Sequence, residues 1–514
     1  MVSTDTPLIQ RSVPTWVYLT VLVLVSIVSR LPQLLSPNLL LEGDECILGL
    51  MGMHLAQGRE FPVFFYGQRY GLSIVEAPAA AVSFLIFGAG AVPLKLAMLG
   101  IWTVGIAFYF LAFSRPLGKT RSFWITLLLV LMPAWAATSM KAWSGYITAF
   151  SAAAIVIHLI TRNDNRRAAP WLIAGGVSGF IYFAQPLWLP GLLPIALYFL
   201  WSSRRRIFWL SYVSGMLGVM LVVTLITTFW LTDVIETWTR PPAGNPHLFA
   251  SVPRLLSQTY VDLTGSFYFG TPVYTGPVTA SLGYFWFAVL GILGLVQVFR
   301  VLTRRYLLWS HLLFVSVCST LAANWILLDW RDARYAMALN APLVFMAGVE
   351  FFDLADRYRL SMRKCAAAIL VLVALESVSM NEFRNYSYMW WTNSRDTPSE
   401  TKTLLKVIGY LRSRGVTRAF AMNALLQWPI TFYSHETVIA RWKAGIDRYP
   451  PYIKKIDRAL NNGETVAIVG YAGYTYGLER MVRDPDAIIT VDGKYFVYFG
   501  PDKDVLRRAG FAFR

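Results

Sequence analysis

The strongest constraint on this chain is that apolar segments about 20 residues long recur along it. A helix needs that many mostly apolar residues to cross the hydrocarbon core of a bilayer. Of the 514 residues, 56% are hydrophobic and 15% are charged, which is unlike the composition of soluble enzymes. The sequence therefore predicts a polytopic α-helical membrane protein. The segments are residues 14–34, 73–91, 93–114, 122–140, 145–161, 171–185, 187–202, 207–231, 280–299, 307–328, 335–352 and 365–381.

The basic residues are concentrated in short clusters between apolar segments. A net charge of +17 could by itself suggest nucleic-acid binding. Lys and Arg in short loops, however, favour the cytoplasmic side of a membrane, so this pattern indicates control of topology and predicts no nucleic-acid partner. The clusters are Arg115/Lys119/Arg121, Arg162/Arg166/Arg167, Arg204/Arg205/Arg206, Arg300/Arg304/Arg305 and Arg357/Arg359/Arg363/Lys364.

Segment 73–91 differs from the other apolar segments. If every segment crossed, the basic clusters would lie on the side opposite a cytoplasmic N-terminus. This segment opens with Glu76 and Pro78 and is rich in Ala and Gly, so we expect it to lie in, or dip into, the outer interface. The sequence thus predicts about eleven transmembrane helices plus interfacial helices, with all of the basic clusters inside.

The pattern changes beyond residue 381. We divide the chain into a membrane domain, 1–381, whose first outer loop is 36–92, and a soluble outer domain, 382–514. Short strand patterns alternate there with helical patterns, which predicts a small α/β domain. The strand patterns are RAFAMN, TVIARW, TVAIVGY, AIITV and KYFVYFG, and the helical patterns are TLLKVIGYLRSRG and YIKKIDRALNNG.

Three carboxylates follow the first apolar segment: Glu42, Asp44 and Glu45. The residues after Asp44 suggest an amphipathic interfacial helix that stops at Gly58, with Asp44 as its N-cap. Asp44 then either caps the helix or deprotonates an acceptor at the membrane surface. We expect Glu42 to be a solvated loop residue and Glu45 to assist at the helix start.

A second group of charged residues lies in the outer loop "LDWRDARY". Arg331 and Arg334 depart from the positive-inside pattern. They either pair with neighbouring aspartates, which contributes little, or offer donors to a phosphate. Lys141, beside Trp143 at another outer turn, is either a third phosphate ligand or a lysine that extends to the interface.

These features together resemble the GT-C membrane glycosyltransferases, and within them the bacterial relatives of the protein O-mannosyltransferases and of the lipid A aminoarabinose transferase. The resemblance covers roughly residues 14–350. It rests on the architecture and on short motifs: GDE at 43–45 followed by LAQGREFPVFFYGQRYG, GAVPLKLAMLGI at 90–101, KAWSGYIT at 141–148, AQP at 184–186 and ARYAMALNAP at 333–342.

The resemblance implies a reaction. A polyprenyl-phosphate-linked sugar would be the donor on the outer face of a bacterial inner membrane, and its glycosyl group would pass with inversion to a lipid, glycan or protein acceptor. It implies membrane lipids as surroundings and places the active site and the C-terminal domain on the periplasmic side. The residues implied are Asp44 and Glu45 for catalysis, Arg331, Arg334 and Lys141 for the donor phosphate, and Tyr66, Arg69, Tyr146 and Tyr335 for substrate binding.

One departure from the family concerns metal binding. Many relatives have a second carboxylate just after the turn at KAWSGY, where this chain has Tyr146 and Thr148. We therefore expect no metal and no other cofactor, although a divalent ion remains an alternative. Two other functions stay open: a transporter or flippase of lipid-linked sugars, whose mark would be repeats or buried charges within spans, and an outer-face glycan polymerase or ligase.

Overall fold

The computed structural model describes residues 13–37, 39–68, 70–162, 167–230, 249–268, 271–327, 332–385, 400–443 and 448–512. The part before residue 386 is helical apart from one short hairpin. Its helices are α1 Thr15–Val28, α2 Leu31–Leu34, α3 Gly43–Ala56, α4 Glu76–Phe87, α5 Ala91–Leu117, α6 Lys119–Leu131, α7 Tyr146–Arg162, α8 Ala169–Ala184, α9 Leu189–Ser203, α10 Arg206–Trp230, α11 Val252–Thr264, α12 Pro277–Leu302, α13 Leu308–Leu327, α14 Asn340–Arg357 and α15 Met362–Glu382. The hairpin pairs β1 Phe267–Tyr268 with β2 Thr271–Pro272.

The chain is a multi-pass membrane protein. Among the described residues, 8 helices are long and apolar enough to cross a membrane, or up to 9 if α6 and the bent segment Pro133–Met140 form one span. The predicted count of about eleven is not established, because two predicted spans correspond to α7 and α8, with 17 and 16 residues. The segment predicted to lie at the interface contains α4, whose 12 residues rise only about 18 Å, too little to cross.

The centre of the helical bundle is packed with aromatic rings. Trp102 of α5 stacks on Phe150 of α7 at 6.0 Å between ring centroids, and Trp135 lies 4.6 Å from the same phenylalanine. Arg30 is buried over Trp102 and donates to the carbonyl oxygen of Trp135. These contacts fix the centre of the membrane domain.

Helix α3 is buried on nearly all sides, not amphipathic as predicted. Residues from Cys46 to His54 are all buried, because α4 packs against one side of the helix and the C-terminal domain against another. A side chain at Gly49 would overlap the ring of Phe432. The helix therefore belongs to the core shared by the two domains, and not to a membrane surface.

The C-terminal domain is the predicted small α/β domain. Its five-stranded sheet has the order β4-β3-β5-β7-β6. Strands β4, β3 and β5 are parallel, while β7 runs antiparallel to β5 and β6. All of the strand patterns read from the sequence occur as strands. The elements are α16 Glu400–Ser413, β3 Arg418–Ala421, α17 Gln427–Tyr433, β4 Ile439–Arg441, α18 Pro450–Asn461, β5 Val466–Tyr471, β6 Ile489–Val491, β7 Tyr495–Phe499 and α19 Lys503–Arg508.

Candidate active site

The N-terminus of α3 is capped by Glu42. The Glu42 side chain accepts from the backbone of residue 45, and the Glu45 side chain accepts from the backbone of Glu42, which is a reciprocal capping box. Glu42 is completely buried and also accepts from the indole N–H of Trp143. The predictions that Asp44 is the N-cap and that Glu42 is solvated were therefore wrong.

Glu45 lies in a buried ion cluster. Its carboxylate accepts from the ammonium group of Lys95, from Lys141 Nζ at 3.4 Å and from the backbone N–H of Ala142 at 3.2 Å. Burial alone disfavours ionisation, but Lys141 and Lys95 hold the pKa of Glu45 below its usual value. Burial raises the pKa of Glu42 to about 8 despite Lys141 at 3.7 Å.

Lys141 has a different environment from the one predicted for a phosphate ligand. Its side chain is 4% exposed and its ammonium group faces the carboxylates of Glu45 and Glu42. It also lies 5.3 Å from the ring centroid of Trp143. Lys141 therefore helps to orient α3 through these carboxylates, and its buried ammonium group does not face an entering ligand.

Of the three carboxylates Glu42, Asp44 and Glu45, that of Asp44 is partly exposed. Its side chain is 15% exposed, while those of Glu42 and Glu45 are buried. The charged group nearest to it among the described residues is Arg448, at 3.5 Å between Nη2 and Oδ1. Within the same part of the chain, Oδ1 accepts no hydrogen bond. Asp44 therefore has capacity to accept a proton or a donor from a substrate.

Arg334 stands among three aromatic rings. Its guanidinium carbon is 5.6 Å from the centroid of Trp143, 5.8 Å from Tyr146 and 5.5 Å from Tyr335. Asp332 orients it, because its carboxylate lies 2.8 Å from Arg334 Nε and accepts from the Arg334 backbone at 3.1 Å. The side chain keeps 19% of its surface exposed, and a planar guanidinium held in this way suits an anionic group.

Tyr70 connects the two groups of charges. Burial raises the pKa of Tyr70, while Arg448 and Arg334 oppose that shift, and Asp44 and Tyr335 also act on it. The carboxylate from α3 and the guanidinium that precedes α14 are therefore both within electrostatic range of one tyrosine. Neither Tyr70 nor Arg448 was among the predicted site residues, and nothing in the sequence indicated that Arg448 would reach α3.

Three other predicted site residues are not part of this grouping as the structure describes it. Arg69 and Arg331 are outside the described residues. Tyr66 is not beside Arg334: its hydroxyl bonds to Glu60 and to His54 Nδ1, and its ring stacks on Tyr449 at 4.7 Å. It belongs to a cluster between α3 and the C-terminal domain that we call the His54 network, which consists of His54, Arg59, Glu60, Tyr66, Glu436, Tyr449 and Tyr452.

Solved structures resemble the whole chain. ArnT from Cupriavidus metallidurans bound to undecaprenyl phosphate superimposes with a TM-score of 0.59, at 12% sequence identity, over 95% of this chain and 98% of that one. ArnT in the apo state gives a TM-score of 0.60 at 13% identity, over 95% and 99% of the two chains. The chain has the GT-C fold. The Archaeoglobus fulgidus oligosaccharyltransferase matches with a TM-score of 0.49 at 12% identity, over 90% of this chain and 68% of that one.

The sequence itself has no such matches. No protein-family model matches it, and no curated protein is similar to it in sequence. The low identity to ArnT means that the comparison establishes the GT-C fold, which confirms the predicted architecture, and not the roles of individual residues.

Glu76 is a buried carboxylate that lies at the start of α7, beside Thr148. It projects from the start of α4 and accepts from the backbone N–H of Gly145 and from the N–H and hydroxyl of Thr148. Burial raises the pKa of Glu76 to about 7 although these hydrogen bonds oppose it. The Glu76 carboxylate therefore caps the N-terminus of α7. In the sequence, the one sign of this residue was its position at the opening of segment 73–91.

The described residues do not fit a metal ion. No group of three or more His, Cys, Asp or Glu side chains in this part of the chain has the arrangement to hold one. Among the described residues, the ion-pair partners of the candidate carboxylates are cations: Arg448 beside Asp44, and Lys95 and Lys141 beside Glu45. A divalent cation next to these groups would meet repulsion.

A long apolar groove runs along the side of the GT-C bundle. It has a volume of about 1050 Å³ and is formed by α6, α12, α14 and α15. Its lining extends from Pro277, the first residue of α12, to Arg300 near the end of that helix, and the 26 residues of α12 span about 39 Å. The groove is therefore at least as long as the thickness of the hydrocarbon core of a bilayer, about 30 Å. Phe267, in the hairpin that precedes α12, lies 6.2 Å from Trp143 between ring centroids.

Proposed function

We propose that the protein is an inverting glycosyltransferase. Its donor is a sugar linked to a polyprenyl phosphate, and its acceptor is a lipid, glycan or protein on the outer face of a bacterial inner membrane. The observations that support this proposal are a partly exposed carboxylate, Asp44, at the start of α3 and a partly exposed guanidinium, Arg334, oriented by Asp332. Both lie within electrostatic range of Tyr70. A base and a cation near one another are what glycosyl transfer from a phosphate requires.

The donor phosphate binds at Arg334 in this proposal. As the bond between the sugar C1 and the phosphate oxygen breaks, both bonding electrons remain with the phosphate, and negative charge grows on its oxygens. Arg334 offers several N–H donors to that charge from a fixed position, because Asp332 and the rings of Trp143 and Tyr146 hold it. A site already oriented toward the developing charge lowers the barrier to departure.

Asp44 acts as the general base. The acceptor hydroxyl or amine attacks C1 from the face opposite the phosphate, so the configuration at C1 inverts. A new bond forms between C1 and the acceptor atom, and the acceptor proton passes to Asp44 and then to water. Polyprenyl phosphate is the second product. The Asp44 carboxylate is suited to this role because it is partly exposed, whereas the carboxylates of Glu42 and Glu45 are enclosed by donors.

Glu45 and Lys141 position the base. Glu45 is tied to Lys95, Lys141 and the backbone of Ala142, which fixes the first turn of α3 relative to the turn that carries Trp143. Asp44 precedes Glu45 in that turn, so the contacts of Glu45 also fix the place of the Asp44 carboxylate. We assign both residues to orientation, and not to contact with the donor or the acceptor.

A lipid-linked donor is supported by the groove and by the fold. The apolar groove accepts a hydrocarbon chain along the full thickness of the membrane. ArnT, which has the same fold, was solved with undecaprenyl phosphate bound. A flippase could use a similar groove, but it would need no base beside the guanidinium group.

The test uses purified full-length protein in lipid nanodiscs. Polyprenyl-phosphate-linked hexoses and pentoses are supplied one at a time, together with lipid, glycan and peptide acceptors, and released polyprenyl phosphate is measured by mass spectrometry. We expect release with one donor, and a rate about 10²- to 10⁴-fold lower for Asp44→Asn. We expect Arg334→Ala to weaken undecaprenyl phosphate binding.

Two results would contradict the proposal. One is near-wild-type turnover by Asp44→Asn. The other is a wild-type protein that neither binds undecaprenyl phosphate nor releases polyprenyl phosphate from any donor, which would favour a different use of the groove.

A further inference from the structure

The C-terminal domain contributes a cation to the candidate active site. Arg448 lies two residues before the start of α18, and its guanidinium group is 3.5 Å from Asp44 and 5.1 Å from the ring centroid of Phe65. Its side chain keeps 18% of its surface exposed. It is thus close to the base and open to the cleft, although it is about 400 positions away in the sequence.

The backbone around Arg448 is fixed by close packing on the first outer loop. Gly67, with φ +71, lies so near that a Cβ atom there would be 2.7 Å from the Cα atom of Arg448. The loop therefore lies directly on the chain that carries the guanidinium group. The same loop carries Phe65 beneath the guanidinium and leads into Tyr70, on which both Arg448 and Arg334 act.

The balance of charge among the described residues beside Asp44 favours a second cation. Within this part of the chain Arg334 is paired with Asp332, so a phosphate entering beside Asp44 meets one guanidinium group and two carboxylates there if Arg448 is left out. With Arg448, two guanidinium groups face the two carboxylates, and the anion no longer enters against an excess of negative charge. The distance of 3.5 Å from Asp44 exceeds the 2.7–2.9 Å of a strong charge-assisted hydrogen bond, so the pair is loose enough to be exchanged.

We propose that Arg448 is a second ligand of the donor phosphate, exchanging its contact with Asp44 for one with the phosphate, so that the C-terminal domain completes the active site. This inference rests on the proposed glycosyltransferase function. The exchange leaves the Asp44 carboxylate available to the acceptor proton at the time when the donor is bound. The C-terminal domain then has a direct part in donor recognition.

The experiment measures binding of undecaprenyl phosphate and of uncharged undecaprenol to the full-length protein in nanodiscs. We expect Arg448→Ala to bind undecaprenyl phosphate about 10- to 100-fold more weakly than wild type, and to bind undecaprenol equally well. Arg448→Lys should recover part of the loss, because it restores the charge without the planar fork. Arg458→Ala, a change at an exposed arginine of α18 in the same domain, should leave both affinities unchanged.

The outcomes separate this inference from the proposed function. If Arg448→Ala binds undecaprenyl phosphate as wild type does, Arg448 is not a phosphate ligand and the proposed function still stands. If the variant loses undecaprenol and undecaprenyl phosphate equally, Arg448 serves only to anchor the domain, which also overturns the inference. If wild type binds no undecaprenyl phosphate, both the proposed function and this inference are wrong.

Discussion

Replacing Glu45 by Gln should destabilise the protein severely, while replacing its neighbour Asp44 by Asn should not. Gln keeps the shape of Glu45 and an acceptor for the capping box, but it removes the charge that Lys95 and Lys141 face. Both ammonium groups are buried, and Glu42, at 3.7 Å from Lys141 Nζ, is a more distant carboxylate than Glu45. Removing one partner of a buried ion pair costs about 3–5 kcal/mol.

The Asp44→Asn change should cost far less. The Asp44 side chain is partly exposed and its pairing with Arg448 is loose, so the loss should be about 0–1 kcal/mol. The comparison is informative because the two substitutions remove one negative charge each from adjacent residues in the same turn of α3.

The assay is the apparent melting temperature of the two variants in detergent, recorded at one heating rate, because unfolding of a protein of this size is often irreversible. Glu45→Gln should melt well below wild type, and Asp44→Asn close to it. Adding Lys95→Met to Glu45→Gln should recover part of the loss, since it removes a cation left without compensation. A Glu45→Gln protein as stable as Asp44→Asn, or a double variant less stable than Glu45→Gln, would refute the reasoning.

Two further predictions concern pH and metal. Burial lowers the pKa of His54, but hydrogen bonds to Glu436 and Glu60 outweigh it, and the net pKa is raised above 6.5. The His54 network therefore stabilises the contact between the domains fully below pH 6.5 and loses that contribution as pH rises through the raised pKa. Hydrogen exchange in α3 should increase more steeply with pH in wild type than in His54→Gln, and equal slopes would contradict this. Separately, turnover should persist after treatment with a chelator, and a complete loss that Mn²⁺ or Mg²⁺ restores would show that a metal is required.

Much of the fold follows from local signals in the sequence. The apolar segments predicted the membrane helices, and alternation over a few residues predicted the strands of the C-terminal domain, because hydrophobic periodicity is a local property. The GT-C architecture followed from the order of these pieces. The number of transmembrane helices could not be predicted in the same way, because α7 and α8 are slightly shorter than a helix that must cross the membrane.

The site was less predictable because its contacts join distant parts of the chain. The prediction that Asp44 caps α3 used the right type of residue but the wrong position, since Glu42 and Glu45 cap each other. The burial of Glu42 depends on Trp143, and the neighbour of Asp44 comes from the C-terminal domain. The prediction that α3 is amphipathic failed because the helix is covered both by α4 and by the C-terminal domain, and no local pattern in the sequence could reveal the second of these contacts.

The shared burial of α3 also sets an order of events during synthesis. Gly49 packs on Phe432, a partner made roughly 20–80 s later at ordinary rates of translation. During that interval the side of α3 that carries Gly49 has no sheet domain to cover it, and α4 is the packing partner that has already been made. The burial of the helix that carries Asp44 is therefore completed only when the last domain folds onto it.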